Sequence, residues 1–183
     1  MKMTPFNIGI FVVCVILGVI LGMKFPGFGL ILIIPVIILV IVILFRNKSG
    51  AMAGPEATAE ALKMVPPPGQ ARLFVMRKGF VGGQQGMGIT IDGNLHSQIR
   101  SKYFLMADVE PGTHSVKAKM ASGTEGAART HDVALNAGDV VLLDMKLNMG
   151  VLQGSPDFTE VRDPVQARQM MQGCKLVLWK PSA

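Results

Sequence analysis

The chain has 183 residues, half of them hydrophobic and only 6% aromatic, with a formal charge of +6. Its bases are dispersed, with no basic run and few aromatics for nucleobases to stack on, which argues against nucleic-acid binding. Two cysteines, Cys14 and Cys174, make neither a disulfide framework nor a zinc spacing.

Phe6 to Met23 and Phe28 to Phe45 are apolar runs of 18 residues each without a formal charge, separated by Lys24-Phe25-Pro26-Gly27. An 18-residue helix reaches about 27 Å, close to the hydrocarbon thickness of a bilayer. In lipid every backbone amide must be satisfied within its own segment, so even the β-branched stretch from Ile31 to Ile43 is expected to be helical. The pattern predicts a transmembrane helical hairpin over residues 1–45. Gly18 and Gly22 form a GxxxG pair expected to pack against the second helix or a neighbouring chain. Pro35 is expected to kink the second helix. No small-x-small site follows the first run, so it is expected to stay a helix and not a removable signal. Lys2, Arg46 and Lys48 flank one side and Lys24 the other, so the positive-inside rule puts both termini, and the soluble domain, in the cytoplasm. Arg46 and Lys48 are expected to contact anionic headgroups.

Residues 46–70 read as a linker. Within it Pro55 opens a short helix over Glu56 to Met64, and Pro66-Pro67-Pro68-Gly69 ends it as a semi-rigid spacer. Residues 71–183 read as one β domain whose core is filled by Val, Leu, Ile and scattered Met. Ala71 to Lys78 is rich in β formers. Met87 to Asp92 alternates, and Asp92-Gly93-Asn94 closes a hairpin onto Leu95 to Arg100. Lys102 to Asp108 is the next strand, and Pro111-Gly112 is expected at the centre of a type II turn. Val116, Ala118 and Met120 then face a core while Ser115, Lys117 and Lys119 face water. After a strand from Arg129 and the turn Asn136 to Asp139, the pattern puts Val141, Leu143, Met145, Leu147 and Met149 inward. Asp144, Lys146 and Asn148 are expected outward. Gly150 to Pro156 reads as loose chain, Asp163 and Pro164 start a helix to Gln172, and Cys174 to Trp179, apolar on both faces, reads as a buried last strand in preference to a docking strip for a partner. The sum is an all-β antiparallel sandwich with one short C-terminal helix.

Ile91-Asp92-Gly93, the run Asp108 to Val116 containing Glu110-Pro111-Gly112-Thr113, and Leu135-Asn136-Ala137-Gly138-Asp139 resemble the turn signatures of a family of uncharacterised bacterial envelope domains. These are similar to prealbumin-like PEGA modules and occur as lipoproteins or membrane-anchored proteins. The resemblance covers about Ala71 to Met149. It implies a small antiparallel sandwich at the cell envelope and no known catalytic residues, and with the two-pass anchor the expected location is the bacterial inner membrane.

For chemistry the candidates are thin. An enzyme would need two or three of His96, His114, His131, Asp132 and Asp139 to converge. The glycines from Gly79 to Gly88 are followed by no Gly-Lys-Ser/Thr, so they do not make a Walker loop. Neither a cofactor nor a metal is expected. The leading expectation is a non-enzymatic structural or accessory subunit of an envelope assembly, contacting lipid and other membrane proteins and self-associating through its helices. The alternative is a tethered module whose loop residues Phe80, Gly82, Gly83, Gln84 and Gln85 recognise a glycan or peptide.

Overall fold

The computed structural model describes residues 49–79, 85–121, 123–149 and 154–180, together with Ile34, Pro35, Ile37, Ile38 and Ile41. The chain divides into two compact units, Met1–Arg46 and Asn47–Ala183. In the first, the five described residues are helical and exposed. The apolar runs otherwise lie outside the described residues. No helix among the described residues is long and apolar enough to cross a membrane.

The second unit is mostly β. Its elements are α1 (Pro55–Ala61), β1 (Ala71–Arg77), β2 (Met87–Ile91), β3 (Leu95–Ile99), β4 (Tyr103–Val109), β5 (Gly112–Met120), a 3-10 turn (Glu125–Ala127), β6 (Arg129–Leu135), β7 (Val140–Met149), β8 (Gly154–Val161), α2 (Pro164–Met171) and β9 (Lys175–Leu176). The strands form a five-stranded sheet, β8-β7-β1-β4-β9, and a four-stranded sheet, β3-β2-β5-β6. Alternation decides the inner faces. Leu73, Val75, Leu105, Val141, Leu143 and Met145 from the first sheet meet Met87, Ile89, Ile91, Ile99, Val116, Val133 and Leu135 from the second in one sandwich-like core. Each such side chain contributes roughly 1.5–3 kcal/mol of transfer free energy, so this layer dominates cohesion.

The other face of the larger sheet is also dry. Phe74, Met76, Phe104, Leu142 and Leu176 pack there against Ala61 and Met64, in and just after α1, and against Ala167 and Met171 of α2. β1 is therefore buried at every position. It lies at the centre of its sheet with both faces covered, as a continuous apolar run should.

Several features depart from the sequence reading. The larger sheet is mixed and not antiparallel, because β1 runs parallel to β7 and β4 parallel to β9. Two-sided burial supplies the setting parallel pairing needs. Residues expected to be linker are built into the body: Gly50 donates to the Gln98 carbonyl, Ala53 to Leu176, and Met52 bridges Val177. β8, read as loose chain over its first residues, pairs with β7 from Leu142↔Val161 to Met149↔Gly154. Its Pro156 is tolerated because β8 is an edge strand. Asp144, expected outward, is only 6% exposed, because its face of β7 is the one the helices cover.

The turns show how sequence sets the crossings. Asp92 and Gly93 have φ of 51° and 73°, the positive pair that a type I′ hairpin requires. Gly112, by contrast, has φ of 152° and opens β5, so the Pro111-Gly112 link is not type II. It carries the chain from one sheet to the other. Asp163 caps α2 by accepting from the Val165 amide, with Pro164 in the first turn, as expected.

Candidate functional site

Gly18, Gly22, Arg46, Lys48, Phe80, Gly82, Gly83 and Gln84 lie outside the described residues. Of the candidate binding loop only Gln85 is placed, and it is exposed. Its carbonyl accepts from Arg77 Nη1 at 2.6 Å. Arg77 ends β1 on the face turned toward the second sheet, and its guanidinium is only 1% exposed. Desolvation lowers its pKa, yet a guanidinium starts so high that the group stays charged. The described end of the loop is thus fastened to a buried cation, which sequence spacing alone does not reveal.

The three histidines occupy three separate environments. His96 Nδ1 lies 3.0 Å from Thr90 Oγ1 across the β2–β3 hairpin. His114 Nδ1 lies 2.7 Å from Asp92 Oδ2, and its Nε2 lies 2.8 Å from the Glu110 carbonyl. An ionised carboxylate and a carbonyl only accept, so both ring nitrogens must donate and His114 is held as imidazolium. Burial lowers its pKa, but the hydrogen bonds to Asp92 and the Glu110 carbonyl and the charges of both acids outweigh burial and raise it. For Asp92 burial likewise opposes the net change, and the bonds from His114 and the Ser115 amide carry the carboxyl below its ordinary value. His131 Nε2 lies 2.7 Å from Glu160 Oε1, its ring stacks on Phe158 at 5.3 Å, and Arg162 holds the other Glu160 oxygen. Arg162 also donates to the Ala134 carbonyl. This group clips β6 of one sheet to β8 of the other.

A hydrolytic triad needs a hydroxyl or thiol, a neutral base and an orienting carboxylate in one chain of bonds. Among the described residues, the histidine beside a hydroxyl, His96, is bonded to no carboxylate, and the two beside carboxylates, His114 and His131, are bonded to no hydroxyl. Asp139 accepts from the Asn136 amide in its own turn, and Asp132 is exposed on β6. Among the described residues, no side-chain hydrogen bond joins any two of the five residues that an enzyme reading requires. Among the described residues no three His, Cys, Asp or Glu side chains are grouped to hold a metal ion.

No family model matches this chain, and no curated protein does.

One polar cluster escaped the sequence reading. Asp144, the buried Cys174 and Lys78 gather where α2 ends. Lys78 Nζ donates to the Met170 carbonyl at 2.9 Å and to Gln172 at 3.4 Å, placing a cation on the negative end of α2. Burial raises the Asp144 pKa, with Lys146 and Lys78 opposing it, and burial likewise pushes the Cys174 thiol up. A thiol with a raised pKa is a poor nucleophile. The cluster joins β1, β7 and the segment after α2, positions distant in sequence, so only the folded register brings it together.

Proposed function

We propose that the protein is a non-enzymatic, membrane-anchored accessory or structural subunit of a bacterial envelope assembly. Residues 1–45 form a two-pass helical anchor, and the body from Asn47 onward is a PEGA-like sandwich that contacts other proteins on the cytoplasmic side. Self-association runs through the Gly18 and Gly22 face.

The observation carrying this reading is the helical isoleucine face. Ile34, Ile37, Ile38 and Ile41 follow the i, i+3, i+4, i+7 spacing of one helix face and are 57%, 50%, 55% and 43% exposed. Water disfavours such a stripe of β-branched aliphatics, and hydrocarbon accepts it. The test is flotation of the intact chain, and of a version beginning at Asn47, on phospholipid vesicles. The intact chain should float and resist carbonate extraction while the shortened one stays below, and mass measurement in detergent should give more than one copy. An intact chain left in the soluble fraction would overturn the proposal.

A further inference from the structure

The body is sewn shut where it leaves the apolar segment. Arg100 Nε donates to Ser49 Oγ at 3.1 Å, and the Gly50 amide to the Gln98 carbonyl at 2.8 Å. The Leu178 amide donates to the Ala51 carbonyl, Ser97 Oγ to the Leu178 carbonyl, and the Lys180 amide to the His96 carbonyl. At the other end of this strip the Lys175 amide donates to the Lys102 carbonyl. Only Arg46, Asn47 and Lys48 separate Phe45 from the first bonded residue, Ser49.

The strip is one-sided in charge. The stretches from Ser49 to Ala53, Ser97 to Lys102 and Cys174 to Lys180 carry Arg100, Lys102, Lys175 and Lys180 and no acid. The acids Glu56 and Glu60 stand beside the strip on α1, which packs against β9. Among these bases stand two exposed apolar side chains, Met52 at 51% and Leu178 at 47%. Bases interleaved with exposed apolar groups suit a surface of negative headgroups over hydrocarbon.

We infer that this strip is a docking surface for anionic lipid headgroups, which lays the body against the bilayer instead of letting it hang from a flexible tether. The inference rests on the anchor reading above and adds the face, the lipid class and the residues. The single tryptophan, Trp179, lies between Leu178 and Lys180 and is half-buried, so it reports directly on the strip.

The experiment reconstitutes the intact chain in nanodiscs of phosphatidylcholine, with or without about 30% phosphatidylserine, each holding a headgroup-nitroxide lipid that quenches tryptophan at short range. Quenching of Trp179 should be strong with phosphatidylserine and weak without it. Neutralising Arg100, Lys102, Lys175 and Lys180 to Gln together should reduce the phosphatidylserine-dependent quenching by about threefold or more, with the far-ultraviolet spectrum unchanged. Equal quenching in both discs, or quenching indifferent to the four substitutions, overturns the inference. So does an unquenched Trp179 in a chain that has entered the discs, including one shielded by a second copy, and the anchor reading then still stands. Failure to enter the discs at all overturns both.

Discussion

Asp92 illustrates how one side chain serves two elements. It occupies the positive-φ first position of the β2–β3 turn, and its carboxylate reaches the Ser115 amide and His114 on β5. The turn was readable from Asp-Gly; its partner was not, because that contact depends on the register Ile91↔Val116. His114 has a folded pKa raised above 6.5, so its contribution is fully present below that value and is lost as pH rises through the folded pKa. Asp92 has a folded pKa below 3.8, so its contribution is present above that value and lost as pH falls through the folded one. The pair therefore stabilises most from mildly acidic to neutral pH. His114→Gln should cost about 1 kcal/mol near pH 5.5, modest because the Asp92 side chain is 38% exposed, and progressively less under alkaline conditions. Thermal melts of both proteins across pH would measure it; a gap that widens with rising pH would refute the assignment. Asp144 obeys the opposite sign. Its raised pKa means that ionisation weakens the fold as pH climbs above 3.8, so Asp144→Asn should melt higher than the parent at neutral pH and together with it near pH 3. Gly50 is a steric case. A Cβ there would stand 2.9 Å from Val177 Cγ1 and 3.1 Å from the Leu178 carbonyl, so Gly50→Ala should cost on the order of 1–3 kcal/mol in a denaturant titration.

Among the elements, those whose sequence pattern matches their exposure were legible and those set by distant neighbours were not. β5 alternates toward the inter-sheet core, and Val141, Leu143 and Met145 of β7 do the same, while the opposite face of β7, with Leu142 and Asp144, is buried under the helices. α2 announces itself through Asp163 and Pro164, and Asp163→Ala should destabilise the body by about 1 kcal/mol in chemical denaturation, the usual cost of a lost cap. The start of β8 hides its pairing because Gly154, Ser155 and Pro156 are turn formers; its place on β7 overrides their propensity. The segment before Ala71 misleads in a different way. Its glycines and prolines look like a spacer, but Ala61 and Met64 are buried against Phe74 and Phe104. Met64→Ala should cost about 2–3 kcal/mol, whereas Val65→Ala, at a position 66% exposed, should be neutral within about 0.5 kcal/mol. Equal effects on the melting curve would return the segment to the role of a tether.

At the scale of the molecule, the two-sheet architecture followed from the count and spacing of strands, and both short helices were readable from their prolines and, for α2, its cap, but their packing as a layer on the larger sheet was not. α1 and α2 are seven and eight residues long, too short for periodicity to declare an apolar face, and they become helices of the core by packing. The candidate site was legible only as single residues. Histidines and acids can be read off a chain, while their sorting into three separate partnerships is a property of register. The bidentate pair between Arg72 and Asp108, at 2.6 and 2.9 Å, shows the same limit, since it joins β1 to β4 across a chain reversal through the other sheet. Asp108→Ala should cost about 2–3 kcal/mol by leaving the nearly buried Arg72 guanidinium without its counter-charge.

The parallel seating of β1 beside β7 has a consequence in time. Leu73 cannot find Val141, nor Phe104 find Leu176, until most of the body has been synthesised, so one edge of the central strand β1 stays open after β4 has already been made. Synthesis order thus makes closure of the larger sheet a late event, with the nascent strands open to chaperones until β7 and β9 arrive.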